Sequence, residues 1–343
     1  MRIDKSLFGT MPDGQPVYYY TFTDENGQSV VMSEYACAIL EINVKGKDDK
    51  LYDVALGYDT LNEYLNDTRN FGATVGRYAN RIANGQFTLN GVTYRLPKNN
   101  GRNTLHGGFH HFGKKLFASE MKEDSVVFTL HSPDLDEGFP GNFDLAVNVK
   151  FSDGTLIFEY EYECDKDTPA SITNHNYFNL NGHGQGMILN HYLQINSDKY
   201  CRANDEILAQ APTVSVEGTP FDFRTHRKII TNMLPYSREI TYAKGGFDHC
   251  YEIMDSTKPA AIVMGELTGI KLEVFSDLPA MQFYTGNSIG HTPGKKGSYY
   301  NNYDGFALEC QQFPNAMNEP LFPSPVIKAG EKAKAFIKYK FSR

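Results

Sequence analysis

Residues 143–164 read FDLAVNVKFSDGTLIFEYEYEC, and apolar and polar side chains alternate on both sides of Asp153-Gly154. Successive side chains of a β-strand point to opposite faces, so this alternation predicts two strands with one apolar face and one face in water. An Asp-Gly pair between alternating segments is a strong signal for a tight hairpin turn. The stretch therefore predicts an antiparallel β-hairpin that covers a hydrophobic core.

The same strand pattern continues towards both ends of the chain. Asn90-Gly91 interrupts the alternating segment 86–96, Asn26-Gly27 separates VYYYTFT from SVVM, and residues 332–341 alternate Lys with apolar side chains. The helical signal is short: residues 59–67 combine helical apolar spacing with a Thr60-x-x-Glu63 capping box. No linker, repeat or shift in composition divides the chain. We predict one all-β domain over residues 1–343, a large antiparallel β-sandwich with a few short helices.

Composition restricts the classes of partner. The formal net charge is −8, and the Lys and Arg residues are scattered along the sequence; this favours a neutral ligand over nucleic acid or an anionic membrane surface. No apolar run approaches the roughly 18 residues of a membrane span. The five cysteines are odd in number and lack CxxC spacing, so we expect reduced thiols and a cytosolic protein.

Two residues stand out as candidate proton carriers. His175 lies in TNHNYFNL among three asparagines, whose amides suit a ligand rich in hydroxyl groups better than a packed strand. A histidine with its ordinary pKa of about 6.5 could deliver a proton near neutral pH, although a lone histidine is more often a hydrogen-bonded core residue. Glu309 follows Leu308 and precedes Cys310; if it is buried, burial will raise the pKa of its carboxyl towards that of a general base.

The other polar segments have simpler explanations when each is considered alone. Asp248 in GGFDHCY and Arg81 in GRYANRI are typical of turn caps or surface ion pairs. His106, His110 and His111 in HGGFHH raise the question of a metal site, but no carboxylate accompanies them at matching spacing, so we predict no metal. The His-Gly-Gly step instead indicates a loop whose backbone approaches a ligand, with His106 in contact.

Over its whole length the sequence resembles the aldose 1-epimerase family. The matching stretches are FGATVGRYANRIANGQFTLNG, TLHGG, NHNYFNLNGHG, TPFDFR, GFDHCY, MQFYTGN and LECQQFPNAMN. The resemblance implies a β-sandwich with a shallow sugar-binding cleft, interconversion of the α and β anomers of free aldohexoses, and no cofactor. A small sugar would be the partner, and we expect a monomer or a weak homodimer.

The resemblance also assigns roles, residue by residue. It implies that Glu309 is the general base and His175 the general acid. The residues it implies as ligands of the sugar are Asn80, Arg81, His106, Tyr177, Asp248 and Gln282. The residue after the acid is often Ser in the family but is Asn176 here, which bears on substrate preference and not on the reaction.

Three other functions share parts of this pattern. A non-catalytic carbohydrate-binding protein would have the same sandwich without needing an acid–base pair. A hexose-phosphate epimerase on the same fold would need a basic phosphate clamp, which the scattered arginines do not suggest. A cupin-like metal isomerase would use the three histidines of HGGFHH.

Overall fold

The computed structural model describes residues 1–343 as 29 strands and three short helices. Most strands belong to three sheets, and the paired strands are antiparallel. The first sheet has five strands in sequence order, Arg2–Thr10, Pro16–Thr23, Ser29–Ser33, Ala38–Lys45 and Leu51–Asp53. The all-β prediction is confirmed.

The second sheet has nine strands and contains the hairpin of residues 143–164. Its spatial order is Ala118–Met121, Val126–Ser132, Phe143–Ser152, Thr155–Cys164, Ala333–Ser342, Lys271–Ser276, Ala261–Met264, Tyr192–Ile195 and Arg227–Lys228. The C-terminal strand therefore lies in the middle of this sheet.

The third sheet, here called the cleft sheet for the residues it contributes below, has five strands. They are Ala209–Ser215, Lys199–Ala203, Asp248–Glu252, Ala280–Tyr284 and Ala307–Gln311, in spatial order. Five two-stranded pairs complete the fold: Arg81–Ile82 with Thr104–Leu105, Thr168–Pro169 with Val326–Ile327, Ala73–Val75 with Thr173–His175, Thr292–Pro293 with Tyr299–Tyr300, and Gln86–Leu89 with Val92–Arg95.

The predicted turns form as the sequence indicates. At Asp153-Gly154 both residues have positive φ, 47° and 66°, and at Asn90-Gly91 the values are 51° and 79°. Two consecutive positive φ angles give the turn whose twist matches the flanking strands. In the hairpin of residues 143–164 the phenyl side chains, the leucines and the valines are buried, and Glu159 is exposed.

The helices are short, as predicted. They span Leu61–Leu65, Ile229–Met233 and Arg238–Tyr242. The capping box is confirmed, because the Thr60 side chain accepts from the Glu63 backbone and the Glu63 side chain accepts from the Thr60 backbone. None of the helices combines the length and hydrophobicity that crossing a membrane requires.

Two buried clusters hold the sheets together. The larger has 57 residues and reaches from Tyr20 to Phe341. The smaller has 16 residues and includes Phe71, Tyr177 and Tyr300, whose rings pack edge to face. Burying apolar surface contributes roughly 25 cal/mol per Å², so these clusters fix the backbone from which the polar segments extend.

Candidate active site

The structure brings the sequence-predicted site residues together at one cleft of about 280 Å³. Seven of the eight line its walls: Asn80, Arg81, His106, His175, Tyr177, Asp248 and Glu309. The eighth, Gln282, stands behind this wall, where its side-chain amide donates to Asp248 Oδ1 at 2.5 Å. Residues that are far apart in sequence thus converge on one cleft.

His175 and Glu309 face each other at the floor of the cleft. His175 ends the strand Thr173–His175, and Glu309 lies in the cleft sheet opposite Gln282. The His175 Nε2 and Glu309 Oε2 atoms are 3.6 Å apart, and the two residues are 4% and 2% exposed. Glu309 Oε2 and His175 Nδ1 have no hydrogen-bond partner. Buried polar atoms are almost always bonded, so the pair is arranged for groups supplied from outside.

Burial shifts the pKa values of this pair in opposite directions. It raises the pKa of Glu309 from 4.5 to about 8, with a further rise from Asp248 and an opposing effect of Arg81. It lowers the pKa of His175 from 6.5 to about 4. Both shifts have one cause, because a low-dielectric site disfavours the charged form of either group. The pair therefore holds one proton between about pH 4 and pH 8, which confirms the expectation that burial would raise the pKa of Glu309.

Arg81 and Asp248 form one side of the cleft. Arg81 Nη1 lies 3.8 Å from Asp248 Oδ2, and Arg81 Nε donates to Asn100 Oδ1 at 3.1 Å. Both partners face the cleft and are largely buried, so neither has the surface ion-pair role that is typical of such a residue considered alone. Burial raises the pKa of Asp248, while Arg81 and Gln282 oppose that rise. Charged donors and acceptors at this wall suit the hydroxyl groups of a sugar.

His106 is held in one tautomer by the backbone. The Asn80 backbone N–H donates to His106 Nδ1 at 3.1 Å, and the His106 backbone N–H donates to the Asn80 carbonyl at 3.0 Å. Burial, followed by the neighbouring His175, lowers the pKa of His106 well below its ordinary value. A neutral imidazole that accepts at Nδ1 carries its proton on Nε2, so His106 is a donor towards the cleft.

Gly107, directly after His106, allows two segments of the backbone to approach each other closely. Gly107 has φ of 100°, and a Cβ on it would lie 2.3 Å from the Gly76 carbonyl oxygen. The lack of a side chain at Gly107 therefore permits this contact within the protein, and the approach of the loop backbone to a ligand stays a prediction. His106 itself lines the cleft as expected.

The three histidines of HGGFHH do not converge on a metal site. His110 is exposed, and the buried His111 accepts from the Gly113 backbone N–H through Nδ1. A different triad does converge, since the ligand atoms of His106, His175 and Glu309 lie within 4.8 Å of one another. If the protein binds a metal ion, these three residues are its candidate ligands. Measuring activity after chelation tests whether they do.

Tyr177 belongs to a row of rings along the cleft. Its centroid is 5.1 Å from that of His175 and 6.0 Å from that of Tyr284. Tyr284 also lines the cleft but was not singled out from the sequence, although it lies within the stretch MQFYTGN. Asn176 is buried with both amide atoms unpaired, and it is not part of the cleft wall.

Loops contribute most of the lining residues that the sequence did not indicate. Arg69 and Asn70 precede the GRYANRI segment, Ile207 comes from the loop after Lys199–Ala203, and Lys244 precedes GGFDHCY. Ile207 has a left-handed φ of 57°, which is rare for a β-branched residue. These side chains reach the cleft through loop conformation and not through a periodic pattern.

Comparisons with known proteins identify the family to which the chain belongs. The model of the family described as aldose 1-epimerase matches residues 18–340. The chain is 36% identical to the galactose mutarotase of Mus musculus over 345 aligned residues, covering 100% of this chain and 99% of the relative. It is also 36% identical to the aldose 1-epimerase of Haemophilus influenzae, covering 96% and 97% of the two chains.

Solved structures show the same fold. An aldose epimerase homologue from C. elegans superposes with a TM-score of 0.88 at 27% identity, covering 94% of this chain and 98% of the other. Galactose 1-epimerase from Lactobacillus acidophilus gives a TM-score of 0.87 at 25% identity, covering 99% and 98%. With the family model and full-length relatives above 30% identity in agreement, the chain belongs to the aldose 1-epimerase family.

Proposed function

We propose that this protein interconverts the α and β anomers of free aldohexoses such as galactose and glucose, with Glu309 and His175 as the two proton carriers. The observation that supports these roles is the buried pair of facing groups with a 3.6 Å gap and no hydrogen bond between them. Opening a pyranose requires one proton to leave the anomeric hydroxyl O1 and another to reach the ring oxygen O5. Both oxygens are bonded to C1, so an acid and a base at close range can serve them together.

The reaction proceeds through the open-chain aldehyde. The Glu309 carboxylate takes the O1 proton as protonated His175 gives its Nε2 proton to O5, and the C1–O5 bond breaks. Rotation about C1–C2 then presents the other face of the aldehyde. Ring closure returns the proton from O5 to His175 and from Glu309 to O1, so that the enzyme ends unchanged.

The reaction uses the single proton that Glu309 and His175 share. Burial favours the neutral forms of both groups, so the proton is on Glu309 before a sugar binds. Transfer to His175 across the short gap gives the carboxylate and imidazolium that ring opening uses. Sugar hydroxyls that donate to Glu309 favour this transfer, because hydrogen bonds stabilise the ionised carboxylate. The reaction needs no net uptake or release of protons.

The other cleft residues act by orientation. Arg81 and Asp248 bind hydroxyl groups remote from C1, while neutral His106 donates to one nearer the acid–base pair. Asn80 and Tyr177 complete the wall, and Gln282 holds the Asp248 carboxylate in position. Fixed hydroxyl contacts keep C1 between Glu309 and His175 while the aldehyde rotates.

Polarimetry tests the proposal directly. Freshly dissolved α-D-galactose and α-D-glucose should reach their equilibrium rotation faster with the protein than in buffer alone. A protein that binds these sugars without accelerating the change would be the non-catalytic carbohydrate-binding protein. Equal rates with and without the protein for every aldose in a small panel would refute the proposed activity.

Three properties outside the cleft are part of the same proposal. We propose a single domain, because the larger core cluster joins residues from near both ends of the chain. We also propose a cytosolic location, supported by five cysteines that are all buried and free. The expectation of a monomer or weak homodimer stays a prediction, which sedimentation would test.

A further inference from the structure

Two cations at the rim of the cleft have no role in the mechanism above. The cleft is lined by three cationic side chains, and Arg81 alone of these pairs with a carboxylate, that of Asp248. Arg69 and Lys244 line the same cleft without an anionic partner. Arg69 is half-buried and Lys244 is exposed. A guanidinium and an ammonium that line one cleft without an anionic partner raise the question of which anion they bind.

The charge balance of the cleft is opposite to that of the whole protein. The chain has a formal net charge of −8, yet the cleft wall has three cations and only two carboxylates. Burial raises the pKa of both carboxyls, Asp248 and Glu309. The cleft is therefore locally positive near neutral pH, and a positive pocket in an acidic protein favours an anionic ligand.

Arg69 lies on the Tyr284 side of the cleft, where its charge opposes the rise that burial causes in the pKa of Tyr284. The row of rings leads from His175 through Tyr177 to Tyr284. The Tyr284 hydroxyl accepts from the Ser288 backbone N–H at 2.9 Å. Arg69 Nη2 reaches the same loop, 3.5 Å from the position that a Cβ on Gly290 would occupy. A sugar with C1 at the acid–base pair and its ring along these tyrosines would direct its distal end towards Arg69.

We infer that Arg69 and Lys244 form an anion subsite, so that the cleft accepts aldoses with a negatively charged group on the carbon farthest from C1. This inference rests on the proposed anomerase activity and specifies a substrate class for it. The anion is the carboxylate of a hexuronic acid or the phosphate of a hexose 6-phosphate. Arg69 offers a planar fork that suits either anion, and Lys244 adds a mobile point charge. The sequence did not indicate this site, because both residues line the cleft from loops that are distant in sequence.

The test compares mutarotation of galactose, galacturonate and galactose 6-phosphate by polarimetry at neutral pH. For the wild-type protein we expect at least one anionic sugar to be turned over. In the double variant Arg69→Gln/Lys244→Gln, kcat/KM for that sugar relative to galactose should fall about tenfold or more, since charge-assisted hydrogen bonds are lost. Arg69→Lys, which keeps the charge but loses the planar fork, should retain more of the ratio than the double variant does. Lys340→Gln, which removes an exposed cation far along the C-terminal strand, is the matched control and should leave the ratio unchanged.

Salt provides an independent measurement on the unmodified protein. Raising the ionic strength from about 0.01 M to about 1 M shortens the Debye length from about 30 Å to about 3 Å. The rate with the anionic sugar should fall relative to that with galactose. If the rate with galacturonate depends on ionic strength, the subsite binds a carboxylate. If the rate with galactose 6-phosphate does so, the subsite binds a phosphate.

The outcomes separate the two proposals. If galactose is converted but neither anionic sugar is, the anion subsite is wrong and the anomerase activity stands. The subsite is also wrong if the double variant changes the rates with galactose and the anionic sugar by the same factor. If no sugar is converted at all, the proposed function itself fails.

Discussion

Glu309→Gln should make the protein inactive and, at alkaline pH, more stable. The Gln side chain resembles the protonated carboxyl that burial favours. Glu309 has a pKa of about 8 in the folded protein, against 4.5 ordinarily. Between these two values the folded state binds more protons than the unfolded state, so the wild-type protein loses stability as the pH rises through this range. At about 1.4 kcal/mol per pKa unit, the loss is on the order of 5 kcal/mol by pH 8.

Urea unfolding of both proteins at pH 5 and at pH 8.5 measures this effect. We expect nearly equal free energies of unfolding at pH 5 and a clear advantage of the variant at pH 8.5, with unchanged m-values. Glu161→Gln is the control. This exposed carboxylate pairs with Lys334, which lowers its pKa, so its removal should give no stabilisation that grows with pH.

The same variant tests the proposed catalytic role. Loss of a general base typically lowers the rate about 10² to 10⁴-fold, so mutarotation should fall by a factor in this range while the sugar still binds. A variant that is no more stable than the wild type at pH 8.5 would refute the argument from burial. Near-normal turnover would refute the assignment of Glu309 as a proton carrier.

Three further predictions concern the same cleft. His175→Asn should lower kcat about 10² to 10⁴-fold with little change in KM, since it removes a group that acts in the transition state; a change in KM alone, measured by initial-rate polarimetry, would contradict this. The pH profile of kcat/KM should be level between about pH 4 and pH 8, because the pair holds one proton there, and should fall on both sides; a rate that continues to rise above pH 9 would disagree. Exhaustive dialysis against a chelator should leave the rate unchanged, whereas a loss that zinc restores would show that His106, His175 and Glu309 hold a metal.

Local patterns made most of the strands predictable. The hairpin at Asp153-Gly154 depends on side-chain alternation and turn chemistry within 22 residues, and both can be read directly from the sequence. The order of the nine-stranded sheet could not be predicted in this way. Its strand Ala333–Ser342 pairs with Thr155–Cys164 on one side and Lys271–Ser276 on the other, and no local signal specifies partners so distant in sequence.

The residues of the candidate site could be predicted from the sequence, but the distances between their side chains could not. The apolar neighbours of Glu309 indicated burial, and the family resemblance supplied the roles. The 3.6 Å separation from His175 depends on how a short two-stranded pair lies against the cleft sheet. Arg69 and Lys244 stayed unnoticed because loop residues have no periodicity from which a shared cleft could be inferred.

Arg77 is a buried charged residue that the sequence patterns did not indicate, and its contacts help to position a segment of the cleft. It is 2% exposed, and its guanidinium donates to the carbonyls of Pro140 and Gly141 and to the Ser132 hydroxyl. These acceptors compensate for the hydration that the guanidinium loses on burial. Because Arg77 lies in the segment that continues to Asn80, its contacts fix the start of that segment.

The two proposed proton carriers both lie on β-strands, but on strands of different sheets, and the proposed reaction requires that both be held rigidly. Glu309 and Asp248 are on strands of the cleft sheet, while His175 is on a different pair of strands. The reacting carbon must turn between two proton carriers, so those carriers must remain fixed while the sugar's remote hydroxyls stay bound. A sheet held by a buried core supplies that rigidity better than a loop. Selection among sugars can then reside in the loops that bear Arg69, Ile207 and Lys244, since changes there alter the bound hydroxyls or charges without moving the atoms that exchange protons.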